Sequence, residues 1–360
     1  MAVVEPAPDP LAERKRDHLR LSLAGDVGFA TLTTGLERLR VRARALPACD
    51  LDAVDLSQVR WGRRLAVPLL VSCMTGGVSE AGPVNRALAV AAQAHGVALG
   101  LGSGRVLLEG DGVRDRDRVA SFAVRDLAPD VLLFANLGAV SLARHGPAAC
   151  RRLVAMCEAD ALVLHLNSVQ EAIQAAAGGP AGGDTEFSRV LPRIAEVCAE
   201  LEVPVLVKEV GFGLAPEDVA ALVDAGVAGV DVAGAGGTNW ARVEGLRDGR
   251  AGAVAAAFAD WGLPTAEAVR GARRVLDERD RGDVTLIGSG GLRHGVDALK
   301  VLCLGADLAG VARGLLAAGA EGPAAAVAAV GVIAEQLRIA AWAAGATELA
   351  DLTEEWLTSD

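Results

Sequence analysis

The hydrophobic positions of this chain fall into short runs that are apolar at nearly every residue. Eight of them stand out: AVPLLVS (66–72), GVALGLGS (96–103), DVLLFANLG (130–138), DALVLHLN (160–167), VPVLVKEVGFG (203–213), AGVDVAGAGG (228–237), VTLIGSG (284–290) and ADLAGVARG (306–314). A run without polar alternation predicts a strand covered on both faces, as in a parallel sheet with crossover helices. Helical spacing lies between the runs. One helix is expected to open at Pro83, a residue suited to a first turn, and to end at His95. Another is expected from Leu292 to Leu304, with Leu299, Val301 and Leu302 toward a core. Eight similar strand-and-helix units predict an α/β fold, a (β/α)₈ TIM barrel, over 61–345. An open doubly wound sheet would not need eight. Residues 1–60 read as an arm and lead-in, loose over 1–13, and 346–360 as an acidic tail. A Gly-rich loop is expected over 175–188, and an insert with one helix over 241–280.

Polar residues gather just after the apolar runs. Thr75, Ser103, Asn136, His165, Asn167, Lys208 and Thr238 all stand there. Chance would scatter them to both ends of the strands, whereas a barrel enzyme builds its site at the C-terminal ends. The last two such loops, 289–293 and 312–314, combine glycines with Arg293 and Arg313. Glycines let backbone N–H groups approach an anion, so these loops read as a phosphate site or as ordinary turns with surface arginines.

Composition narrows the field. The chain has 360 residues and a net charge of −11, which argues against a general nucleic-acid surface. An anionic ligand must then be met by locally clustered cations. Six cysteines without metal spacing read as reduced thiols of a cytoplasmic protein. The N-terminus lacks the apolar core of a secretory leader. The apolar stretch 315–333 contains Glu321 and reads as a packed helix, not a membrane span.

Three features carry candidate chemistry. Lys208, inside an apolar run, is either ion-paired, a Schiff-base nucleophile, or a cation beneath a flavin or phosphate. In HLNSVQE, alternation puts His165 and Asn167 on one face, with Gln170 and Glu171 in the turn that follows. Glu171 reads as a helix N-terminal carboxylate or, beside an anion, as a Mg²⁺ ligand. RKRDH (14–18) reads as a solvated charge run or as an arm that folds over an anion.

Together RKRDH, CMTGG, GLGSGR, FANLGA, HLNSVQE, PVLVKEVGFG, DVAGAGGTNW, DWGLPT and GSGGLRHGVDALK resemble the type 2 isopentenyl-diphosphate Δ-isomerases, in order and over nearly the whole chain. The resemblance implies an FMN-dependent barrel that shifts the double bond of isopentenyl diphosphate to give dimethylallyl diphosphate. It also implies NADPH to keep the flavin reduced and Mg²⁺ on the diphosphate. It implies that Arg14, Lys15, His18, Ser103, Arg105 and Gln170 contact substrate, that His165, Asn167 and Gln170 line the reacting pocket, and that Glu171 holds the metal. Met74, Thr75, Ser103, Asn136, Lys208, Thr238, Gly291, Leu292, Arg293, Ala312 and Arg313 are the implied FMN residues. A tetramer or octamer is implied as well. Cys73, Gly104 and Ser168 depart from the family pattern, and Gly104, beside Ser103 and Arg105, is expected to bear on substrate selectivity. One alternative is an FMN-dependent 2-hydroxy-acid oxidase, but AGAGGTNW lacks the histidine base expected after strand six; the other is a related isomerase or binder of another prenyl diphosphate.

Overall fold

The computed structural model describes residues 10–109, 116–178 and 182–359. Eight parallel strands close a barrel: β1 Leu69–Val71, β2 Ala98–Gly100, β3 Leu133–Gly138, β4 Ala161–Leu166, β5 Val205–Glu209, β6 Gly229–Asp231, β7 Thr285–Ser289 and β8 Leu308–Val311. Each strand pairs with the next in the chain, and β8 pairs with β1. The principal helices are α1 Pro10–Ala24, α2 Ala81–His95, α3 Pro147–Cys157, α4 Ser168–Ala177, α5 Val190–Glu200, α6 Pro216–Asp224, α7 Trp240–Gly245, α8 Gly249–Ala255, α9 Thr265–Glu278, α10 Gly295–Cys303, α11 Arg313–Glu321 and α12 Pro323–Ala344.

The strands are apolar on both faces because each face meets a different core. Outward residues such as Leu133, Ala135, Leu162, Leu164, Val205 and Val207 pack under the helices. Inward residues Leu70, Ala98, Phe134, Val163, Leu206, Ile287 and Leu308 fill the barrel. Side chains alternate along a strand, so two residues further on the same inward face continues. There Phe134 gives way to Asn136, Val163 to His165, Leu206 to Lys208 and Ile287 to Ser289. The interior is therefore oil at the bottom and polar at the top. Register sets His165 opposite Lys208, and Lys208 opposite Asp231. Three titratable side chains thus stand abreast on consecutive strands.

The lower end is plugged by a hairpin, Gln58–Arg60 with Arg63–Leu65. Trp61 at its tip packs edge-on to Phe134, with ring centroids 6.1 Å apart. Arg60 pairs with Asp307 at 2.5 Å, and Arg63 with Asp160 at 2.7 Å. The lead-in is fastened elsewhere, where Leu39–Val41 pairs antiparallel with Leu357–Ser359.

Several expectations change. Helix α1 begins at Pro10, so residues 10–13 are helical rather than loose, and the rest of that expectation, on 1–9, lies outside the described residues. The stretch 241–280 holds α7, α8 and α9 rather than one helix. Helix α10 starts at Gly295, three residues later than expected, because 290–294 form a loop. Gly290 and Gly291 there have φ of 111° and 73°, and the His294 ring nitrogen Nδ1 accepts the Asp297 N–H to cap the helix. The stretch 315–333 breaks at Gly322, φ 132°. Beyond it α12 is long and apolar enough to cross a membrane by length and composition, yet it packs on α2 and α10 through Val330, Ile333, Leu337 and Ala341.

Candidate active site

A cavity of about 580 Å³ opens at the C-terminal end of the barrel, and every residue expected above to contact substrate, flavin or metal lines it. Arg14, Lys15 and His18 come from α1, which lies across the mouth. Met74 and Thr75 follow β1, Ser103 and Arg105 follow β2, and Asn136 ends β3. His165 is on β4, Asn167 caps the helix that follows, and Gln170 and Glu171 lie in the first turn of α4. Lys208 is on β5, Thr238 follows β6, Gly291, Leu292 and Arg293 follow β7, and Ala312 and Arg313 follow β8.

The floor is a set of buried polar side chains. The Lys208 ammonium donates to the Glu209 carbonyl at 2.8 Å and lies 3.6 Å from Asp231 Oδ2. Ser289 Oγ donates to Asp231 Oδ1 at 2.5 Å, while Oδ2 has no hydrogen-bond partner. Glu209, on the outward face, accepts N–H groups from Gly211, Phe212 and Gly213 and shapes the loop beside the cavity. Burial pushes its carboxyl up to about 7 against those donors. His165 lies 2.8 Å from Asn136 Oδ1 through Nδ1. Burial, reinforced by the charges of Lys208 and Lys15, pulls His165 down to about 4, so its imidazole is neutral near pH 7. With the proton on Nδ1, its Nε2 is an acceptor.

The roof is cationic. Lys15 donates to the carbonyls of Gly76 and Ser103 at 2.8 and 2.7 Å. Burial, with Arg14, Arg118 and Arg105 nearby, pulls it down to about 7. Arg105 is held by Glu109 at 2.8 Å. RKRDH is therefore not a solvated run: Arg16 faces outward to Glu80, while Arg14, Lys15 and His18 face the cavity.

The sequence reading missed Glu244, on α7. It is almost fully buried and lies 2.7 Å from His18 Nε2. Gln170 and Gln174 each donate to it at 2.7 Å, and Arg247 pairs with it at 2.9 Å. Burial would push this carboxyl up, but His18 and the two amides outweigh that and pull it down to about 2. Trp240, four residues earlier, lines the cavity and stacks edge-on against His18 at 5.2 Å. Gln174 was missed although its signal was present. Positions 167, 170, 171 and 174 lie on one helical face.

Gly104 does not bear on the pocket as expected. A Cβ there would point at Leu153 of α3, 2.5 Å from Cδ1, and Gly104 does not line the cavity. Its missing side chain makes room for helix packing behind the strand, not for a ligand.

The residues present fit a flavin mononucleotide. At the β6 and β7 loops a Cβ on Gly237 would lie 2.5 Å from the Gly291 nitrogen, and one on Gly291 would lie 2.6 Å from Thr34 Cγ2. Only bare backbone fits this cradle, and its glycines let N–H groups approach a phosphate. Beside it, the polar floor with Lys208 suits the hydrogen-bonding edge of a heterocycle.

Comparison with known proteins agrees. Residues 138–359 match the FMN-dependent dehydrogenase family. The chain is 50% identical over 93% of its length to an isopentenyl-diphosphate delta-isomerase of Xanthobacter autotrophicus, covering 94% of that protein. It is 46% identical over 96% of its length to one of Stutzerimonas stutzeri, also covering 96% of it. In structure it resembles flavocytochrome b2 with sulfite bound at a TM-score of 0.67, 18% identity, and 95% and 82% coverage of the two chains. A mandelate oxidase variant follows at 0.65, 21% identity, and 97% and 99% coverage. These likenesses show the fold, and the sequence relatives show the narrower kinship: the chain belongs to the isopentenyl-diphosphate delta-isomerase family and carries an FMN-dependent dehydrogenase domain.

Proposed function

We propose that this chain isomerises isopentenyl diphosphate to dimethylallyl diphosphate with reduced FMN, Mg²⁺ on the diphosphate, and NADPH as the source of reducing equivalents. The observation that carries the reading is the division of one cavity into a cationic roof and a neutral wall. Arg14, Lys15 and Arg105 converge from α1 and the β2 loop, whereas His165, Asn167 and Gln170 offer no net charge. A molecule with an anionic head and a small apolar body fits that division.

The difficult step is protonation of an unactivated alkene, which builds tertiary-carbocation character. Reduced flavin, when bound, supplies the proton that is gained and the base that recovers one, along with an electron-rich face. The chain supplies the rest. Helix α1 excludes water by lying across the mouth, and the roof cations anchor the head group so that the alkene is presented to one face. Neutral His165 adds no positive charge beside the developing cation, and its Nε2 lone pair favours it. Lys208, Asn136, Met74, Thr75, Ser103 and Thr238 would hold the flavin ring and ribityl chain. Gly291, Leu292, Arg293, Ala312 and Arg313 would hold its phosphate.

Glu171 is the residue for Mg²⁺. Its carboxylate is oriented by Asn167 Nδ2 at 2.8 Å and the Asp184 N–H at 2.7 Å. Among the described residues no group of three His, Cys, Asp or Glu side chains could hold a metal. A lone carboxylate suits an ion that draws its remaining ligands from water and phosphate oxygens. On the same kinship the protein is proposed to work in the cytoplasm as a homo-oligomer, a tetramer or octamer.

The 2-hydroxy-acid oxidase reading is less supported, because the β6 loop places Thr238 and Trp240, not a histidine, at the cavity. The deciding experiment is an anaerobic assay with FMN, Mg²⁺ and NADPH, following isopentenyl diphosphate by NMR in D₂O. Dimethylallyl diphosphate with deuterium uptake, lost when FMN is withheld, is the expected result. A protein that binds and reduces FMN yet leaves the substrate unchanged would refute the substrate assignment.

A further inference from the structure

We propose that Glu109 is a positioning residue for Arg105, holding the guanidinium by Nε so that its terminal NH₂ groups are left for the diphosphate; this deepens the function proposed above and rests on it. Arg105 and Glu109 stand four residues apart, across the single helical turn Arg105–Leu108 that follows β2. That spacing brings the two side chains to one side of the turn. Arg105 lines the cavity and Glu109 does not. Glu109 Oε2 accepts from Arg105 Nε at 2.8 Å, and neither terminal NH₂ group of Arg105 donates to it. Among the described residues no other group accepts a hydrogen bond from Arg105.

The carboxylate is itself fixed from outside the cavity. A carboxylate only accepts, so His145 Nε2, 3.0 Å from Oε1, carries the proton that it donates. His145 sits just past the short helix Ala139–Ala143 that follows β3. Each oxygen of Glu109 thus has its own neighbour, and the plane of the carboxylate is set. Arg144 Nε lies farther off, 3.7 Å from Oε1, and Arg144 turns its Nη1 to Asp184 at 3.0 Å. Burial would raise the Glu109 carboxyl, but Arg105 and His145 outweigh it and hold it below the ordinary value. The pairing also answers a repulsion. Burial lowers both Arg14 and Lys15, and the charge of Arg105 lowers each further. Cations gathered at one mouth drive one another apart before an anion arrives. Arg14 has Glu171 and Glu244 to offset this. Arg105 has Glu109, which lies behind it and leaves the cavity side to the ligand.

The test uses the full FMN-loaded chain with Mg²⁺, its Glu109→Ala, Glu109→Gln and Arg105→Ala variants, and the double variant of Arg105→Ala with Glu109→Ala. KM and kcat are read with isopentenyl diphosphate, and inorganic pyrophosphate binding is read by calorimetry. Glu109→Ala is expected to raise KM and the pyrophosphate Kd about tenfold, with kcat within about twofold. Glu109→Gln keeps an oxygen for Arg105 Nε and should bring both back to within about threefold of the unmodified chain. In the Arg105→Ala background Glu109→Ala should cost less than about twofold, because its effect runs through the missing guanidinium. An undiminished effect in that background overturns the proposal, as does a fall in kcat at constant KM, or a Gln variant no better than the Ala one. So does loss of FMN loading in both Glu109 variants, since the residue would then be structural. If the unmodified chain isomerises and Glu109→Ala leaves KM and Kd unchanged, the proposal alone fails. If the unmodified chain binds pyrophosphate without isomerising, the function reading fails while the pyrophosphate arm still judges Glu109. If it does neither, both fall.

Discussion

The two ends of the barrel use similar residues for opposite purposes. At the lower end Arg60, Arg63 and Arg125 reach Asp307 and Asp160 directly. Asp160 Oδ2 also accepts the Leu133 N–H at 2.9 Å, and the Asp307 carboxylate that of Leu286 at 2.8 Å. Each carboxylate there ties a cation to a strand edge. At the upper end the Lys15 ammonium donates to neutral carbonyls, and Asn167 Oδ1 has no hydrogen-bond partner. Charge that is closed off stabilises, whereas charge held open by neutral partners binds. The cost of the open end is visible in Lys15, drawn down to about 7 chiefly by burial.

The contrast breaks most sharply at Lys15. Replacing it with alanine should lower kcat/KM roughly a thousandfold, about 4 kcal/mol, while the thermal midpoint stays level or rises. Steady-state kinetics beside a melting curve decide it, and a large fall in Tm would make Lys15 structural. Asp160→Ala is the mirror experiment. It strands Arg63 and Arg125 and should cost about 3 kcal/mol of stability, read by urea unfolding, with kcat of the folded enzyme unchanged.

A smaller effect sharpens the contrast through pH. The folded chain binds fewer protons than the unfolded chain between about 7 and the ordinary lysine value of 10.5, so this group makes stability rise with pH across that window. Anion binding runs the other way. Above about 7 Lys15 must regain its proton, so the pyrophosphate Kd should weaken by up to about tenfold per pH unit. Calorimetry at pH 8 in two buffers of different ionisation enthalpy should show proton uptake, and identical heats would contradict it. The smallest effect belongs behind the strands. Gly104→Ala should cost about 1 kcal/mol by pressing on Leu153, with KM unchanged, and Leu153→Ala in the same chain should relieve the clash.

The barrel was legible because β-strand alternation is strict: once Phe134 faces inward, Asn136 must follow it. The same rule makes His165, Lys208 and Ser289 one layer. Glu244 was not legible, because nothing near it in sequence marks it. Its partners His18, Gln170 and Gln174 come from α1 and α4, and only the fold brings three elements onto one carboxylate. The hairpin plug was hidden for the same reason. Nothing in the sequence around Arg60, Trp61 and Arg63 marks a plug, which shows only once Phe134 and Asp160 are placed against it. Gly104 misled because its neighbours Ser103 and Arg105 face the cavity while its own Cβ direction does not.

The strand Leu39–Val41 pairs with Leu357–Ser359. The pairing brackets the barrel, joining a strand that precedes β1 to one that follows α12. The lead-in is thus tied at two points, and a shorter free loop costs less entropy to order than one held at β1 alone.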